Sequence, residues 1–117
     1  MALESKYHTA FKKECNTLSY MVLGSLQKLA SNPTDIQELR NLVQAADTIM
    51  GDARFLQDRE LEQSATRIVK SFDNVKDIRE KINEYSIAYE QFGKMVGRTG
   101  VCPKGYKIVD GMCVPDT

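Results

Sequence analysis

Residues 42–56 run Leu42-Val43-Gln44-Ala45-Ala46-Asp47-Thr48-Ile49-Met50-Gly51-Asp52-Ala53-Arg54-Phe55-Leu56. They read as the second half of an amphipathic helix. Apolar residues recur at Ile36, Leu39, Val43, Ala46, Met50 and Ala53, in alternating steps of three and four. A second stripe on the same helix is polar: Arg40, Gln44, Asp47, Gly51 and Arg54. It is expected to face solvent or a partner. A glycine inside a helix costs roughly 1 kcal/mol against alanine, so Gly51 calls for a reason. Close packing or a mild local bend is one. A bare patch, where another protein approaches the backbone, is the other.

The segments outside this helix follow the same period. Residues from about Ser5 to Ala30 form a first helix, with its seam at Tyr7, Phe11, Cys15, Leu18, Val22, Leu26 and Leu29. Ser31-Asn32-Pro33-Thr34-Asp35 breaks it: Pro33 cannot continue a helix, and Thr34 or Asp35 can cap the next. The second helix runs to about Phe55, and Gln57-Asp58 is a short turn with Asp58 as N-cap of a third helix. That helix has its seam at Leu61, Ala65, Ile68 and Phe72, and Asp73-Asn74 ends it and offers the next cap. A fourth helix carries Val75, Ile78, Ile82, Tyr85, Tyr89, Phe92 and Val96, with Gly93, Gly97 and Gly100 interrupting and closing it.

Four helices, short connectors and one apolar stripe each predict an all-α chain, an antiparallel up-down four-helix bundle over residues 1–98. Tyr85, Tyr89 and Phe92 are expected at the core or its edge. Cys15 in its seam reads as a small core residue. The Glu-plus-His pairs that build a metal centre inside a bundle do not occur, so neither a cofactor nor a metal is expected.

Residues 99–117 form a separate unit, a short cysteine-containing hairpin. Asp110-Gly111 between Ile108-Val109 and Met112-Cys113-Val114 is a two-residue hairpin signal. Cys102 and Cys113 lie close enough in sequence to close a small loop. A disulfide there would contribute about 2–3 kcal/mol and would fit an oxidising compartment or a thermophile's cytosol. The rival is metal binding, but two cysteines are half a zinc site, with Cys15 and His8 far away in sequence. The hairpin is expected to act as a docking knob or as a cap on the helices.

The second helix resembles the signature of histidine phosphotransfer (HPt) domains, in the version at the front of chemotaxis-type histidine kinases. That signature runs alanine, histidine, serine or threonine, leucine or isoleucine, lysine, glycine, any residue, alanine. Ala46, Thr48, Ile49, Gly51 and Ala53 match it. Leu26-Gln27-Lys28-Leu29 with Asn32-Pro33-Thr34-Asp35 is similar to the family's first helix and the turn after it. Asp58-Arg59-Glu60-Leu61-Glu62-Gln63-Ser64-Ala65 is similar to its third-helix entry, so the likeness covers roughly residues 7 to 75. The two residues that carry the family's chemistry are replaced. Asp47 stands where the phosphorylated histidine belongs, and Met50 where the lysine belongs.

Both losses bear on chemistry. A phosphotransfer site needs a nucleophile that accepts a phosphoryl group and releases it readily, beside a cation that neutralises its oxygens. An isolated carboxylate lacks the metal and clustered acids that acyl-phosphate chemistry uses, and a methionine brings no charge. The resemblance therefore implies the fold without catalysis: a pseudo-phosphotransfer module of two-component signalling. It would dock a receiver domain or a histidine kinase through Arg40, Gln44, Asp47, Thr48, Gly51 and Arg54. One alternative is a structural or assembly protein that shares only the fold and associates, with itself or with others, through an exposed apolar patch or the hairpin. Another is an active phosphocarrier that uses an acid or His8, the only histidine in the chain. His8 has its lysine four residues on and no glycine opening its face.

The 117 residues suit one domain with a modest core. With 42% hydrophobic and 27% charged residues, the composition is that of a soluble globular chain. Lys+Arg and Asp+Glu are both 16, which gives no electrostatic footprint for nucleic acid. No apolar run approaches a membrane span and the N-terminus has no signal-peptide pattern, so a cytoplasmic location is expected.

Overall fold

The structure, a computed structural model, describes residues 2–97, 105–109 and 112–116, without the side chains of residues 2–6, Ile108, Met112, Cys113 and Pro115. Among these residues the chain forms four α-helices that pack against one another, then a hairpin. Helix α1 is Ala2–Ser31, α2 is Ile36–Leu56, α3 is Arg59–Phe72 and α4 is Ile82–Gly97. Strands β1 (Tyr106–Val109) and β2 (Met112–Pro115) follow. Helix α1 packs on α2 and α4, and α3 packs on the same two. At about 1.5 Å per residue the 30 residues of α1 account for the 46 Å long axis.

The turns fall where the polar residues put them. Asp35 caps α2, its carboxylate accepting from the Glu38 amide at 3.1 Å, and Asp58 caps α3 in the same way through Leu61 at 3.1 Å. Between these caps Gln57 takes a left-handed conformation (φ 57°). The Asp58 amide then reaches back to the Ala53 carbonyl at 2.9 Å, which closes α2.

The core joins all four helices. Leu23, Leu26 and Leu29 of α1, Leu42 and Ile49 of α2, Ile68 and Phe72 of α3, and Phe92 and Val96 of α4 are its largest fully buried side chains. The α3 seam is as expected, with Leu61, Ala65, Ile68 and Phe72 all buried.

Three seams differ from their expected course. In α2 the buried set is Leu39, Leu42, Ala45, Ala46, Ile49 and Ala53; Val43 and Met50 lie at the edge and Ile36 is 40% exposed. The cause is that α2 contacts both α1 and α3, so its apolar arc is wider than a single heptad row. In α1, Tyr7 is 55% exposed and Cys15 is the first fully buried side chain among the described ones. At 30 residues α1 outruns the 21 of α2, so its first turns extend past the core.

The fourth seam was expected to be one helix from Val75. Instead Asn74 adopts a left-handed φ of 65°, Ile78–Lys81 make a 3₁₀ turn and α4 starts at Ile82. The next cap is Asp77, not Asp73 or Asn74: its carboxylate accepts from the Arg79 amide at 2.9 Å and from the Arg79 guanidinium at 2.7 Å. Ile78 stays buried while Ile82 is 55% exposed. The Ile78 amide donates to the Pro33 carbonyl at 2.9 Å, which ties this connection to the α1–α2 turn.

The strands pair antiparallel with Val109 opposite Met112, the register of a two-residue connection at Asp110-Gly111. Those two residues lie outside the described ones. Strand β2 packs on α4, and Tyr106 of β1 donates its hydroxyl to the Leu23 carbonyl of α1 at 2.7 Å. Tyr85 does the same to Leu26 at 2.7 Å. The aromatics Tyr85 and Tyr89 are half-buried and Phe92 fully buried, as the spacing led one to expect. Burial raises the phenol pKa values of Tyr85, Tyr89 and Tyr106. Cys102 and the side chain of Cys113 lie outside the described residues, so their expected disulfide does as well.

Candidate functional site

Helix α2 presents Arg40, Gln44, Asp47, Thr48, Gly51 and Arg54 to solvent; all six are exposed. Their spacing of three and four is the reason: it places them opposite the arc that carries Leu42, Ala46, Ile49 and Ala53. Open grooves flank this face on both sides. One, toward α1, is lined by Met21, Gly24, Ser25, Ala45 and Thr48. The other, toward the end of α3, is lined by Val43, Asp47, Val69, Phe72 and Val75. Gln44 stands at the rim of both.

The structure decides what Gly51 is not for. A Cβ built on Gly51 meets nothing within 4 Å, and the same holds at Gly24 on α1. Close packing against a neighbouring helix therefore does not explain the glycine. Gly51 leaves the helix backbone bare at an exposed position between Asp47 and Arg54.

Individual side chains on the face differ in how they are held. Thr48 returns its hydroxyl to the Gln44 carbonyl at 3.2 Å. Arg54 binds Glu62 of α3 at 2.9 Å. Arg40 and Asp47 make no ion pair among the described residues. Asp47 thus offers a fixed, solvated negative charge. No group of three or more His, Cys, Asp and Glu side chains among the described residues is placed to hold a metal ion. Asp47 accordingly has no cluster of acids around it. His8 is exposed on the part of α1 that precedes Cys15, the first buried side chain among the described ones, and does not join the α2 face.

One polar cluster was not anticipated. Asp52 is only 8% exposed and faces Glu14 of α1. Burial, then the Glu14 carboxyl beside it, pushes the Asp52 pKa up to about 7. The neighbouring Cys15 thiol is buried and free, and burial with the charge of Asp52 pushes its pKa up to about 12. Such a thiol stays protonated and inert. A signal was present in the sequence: Asp52 lies three and seven residues after Ile49 and Ala45, on the apolar arc itself.

No described helix is long and apolar enough to cross a membrane. No protein-family model, no curated protein and no solved structure matches the chain.

Proposed function

We propose that the chain is an HPt-like, antiparallel up-down four-helix bundle that serves as a non-catalytic docking module in two-component signalling. Its α2 face meets a receiver domain or a histidine kinase and carries no phosphate. The observation that carries this reading is the exposed row Arg40, Gln44, Asp47, Thr48, Gly51 and Arg54, with open space over Gly51 and a carboxylate at the position where the resemblance expects histidine. The neighbour pattern supports the bundle: α1 and α3 each pack on both α2 and α4, and the α1–α2 and α3–α4 turns are joined by the Ile78-to-Pro33 hydrogen bond. Asp47 either imitates the charge of a phosphorylated site weakly or disables transfer outright.

The test is incubation with histidine kinases and labelled ATP, alongside binding to their receiver domains. The expected result is saturable binding without label. Acid-labile label on His8 would instead establish the active phosphocarrier. A second reading, an assembly protein, draws on the exposed Tyr7, Met21, Phe55 and Ile82, each more than half exposed. Concentration-dependent self-association by analytical ultracentrifugation, without receiver binding, would favour it.

A further inference from the structure

Asp52 is the buried acid for which neither the fold nor the docking face has a use. It is 8% exposed, and its Oδ2 is buried without a hydrogen-bond donor in reach. The side chain that acts on this carboxyl is Glu14 of α1, which is itself exposed. Two ionised carboxylates present only acceptors to each other. Their contact becomes a hydrogen bond only when one of them holds a proton.

The charges around this spot reinforce the point. From α1 it meets Glu14 and the Cys15 thiol; from the start of α3, Asp58 acts on the same thiol. All are acidic. The cation nearest in sequence on α2, Arg54, is turned to Glu62 of α3. Lys12 and Lys13 on α1 are exposed, and neither acts on the Asp52 carboxyl.

We propose that the buried Asp52 carboxyl keeps its proton and donates it to the Glu14 carboxylate across the α1–α2 interface, and that loss of this proton loosens the helices at the end where α2 turns into α3. The pair is a proton-linked clasp. It is closed in mildly acidic solution and strained in alkaline solution. Nothing in it depends on the docking reading.

The direction follows from linkage. In the folded chain Asp52 keeps its proton up to about pH 7, whereas the unfolded chain releases it near the ordinary value of 3.8. The folded state therefore binds more protons between those values. Stability contributed by the clasp is complete below that window and is lost as the pH rises through it.

The test uses the full chain in two measurements. Carbon-13 NMR of the side-chain carboxyls follows Asp52 directly, and urea midpoints are compared at about pH 5 and about pH 8. The Asp52 carboxyl is expected to titrate near neutrality. The wild-type midpoint is expected to fall over this range relative to Asp52→Asn. Glu14→Gln, which supplies an amide donor to Oδ2, is expected to move the Asp52 titration down by more than about one unit. An Asp52 carboxyl that titrates as an ordinary aspartate, or is unmoved by Glu14→Gln, overturns the proposal. Parallel urea profiles for wild type and Asp52→Asn do so too. Should Asp52→Asn fail to fold, the NMR comparison of wild type with Glu14→Gln decides alone.

Discussion

Replacing Gly51 by alanine separates the structural from the functional reasons for a glycine. Gly51 lies inside the 21-residue helix α2, with the chain helical on both sides. Its φ does not fall in the left-handed region, and an added Cβ meets nothing within 4 Å. No contact is lost and no clash is made. What remains is the backbone entropy that alanine does not have to give up, about 1 kcal/mol in a helix interior. For a chain of this size that corresponds to a rise in Tm of roughly 3–6 °C. Thermal unfolding followed by circular dichroism, checked by urea titration, measures it. Gly51→Ala is therefore expected to stabilise the free protein, so folding is not what calls for a glycine here. A loss of stability would refute this, because it would mean that α2 needs glycine's freedom or that the space above it is filled.

Two further substitutions test the fold. Asp58→Ala removes the acceptor of the Leu61 amide at the start of α3 and is expected to cost about 1 kcal/mol in urea unfolding; an unchanged midpoint would show that Asp58 does not cap. Tyr106→Phe deletes the hydroxyl that reaches the Leu23 carbonyl at 2.7 Å. It is expected to cost about 1 kcal/mol and to speed amide exchange in β1 and β2 ahead of the core. Hairpin exchange no faster than in the wild type would mean that this contact does not hold the tail.

Much of the architecture was legible because the relevant signals are local. Pro33, Asp35 and Asp58 mark turns whatever surrounds them, and the α3 seam at Leu61, Ala65, Ile68 and Phe72 is a narrow stripe of a single period. The exposure of the Arg40-to-Arg54 row followed from the same periodicity. The errors came where tertiary contacts or backbone geometry outweighed spacing. The apolar repeat from Val75 to Ile82 matches a helix by count, yet Asn74 and the Asp77–Arg79 clasp impose a turn and a 3₁₀ segment on it. Val43 and Ile36 lost their places to Leu42 and Ala45 because α2 is flanked on two sides. Asp52 was missed because periodicity counts apolar residues; its place on the apolar arc was readable from the spacing, whereas its neighbour Glu14 from α1 was not.

The role assigned to the α2 face is tested most directly by titrating wild type, Gly51→Ala and Gly51→Arg against receiver domains and histidine kinases, using calorimetry. A Cβ at residue 51 meets nothing within 4 Å and the position is exposed, so once circular dichroism shows both variants folded, a change in affinity reports on the surface. The expected result is binding by the wild type, weaker binding by Gly51→Ala and none by Gly51→Arg. Equal affinity for all three proteins, or no binding by the wild type, would contradict a docking role for this face.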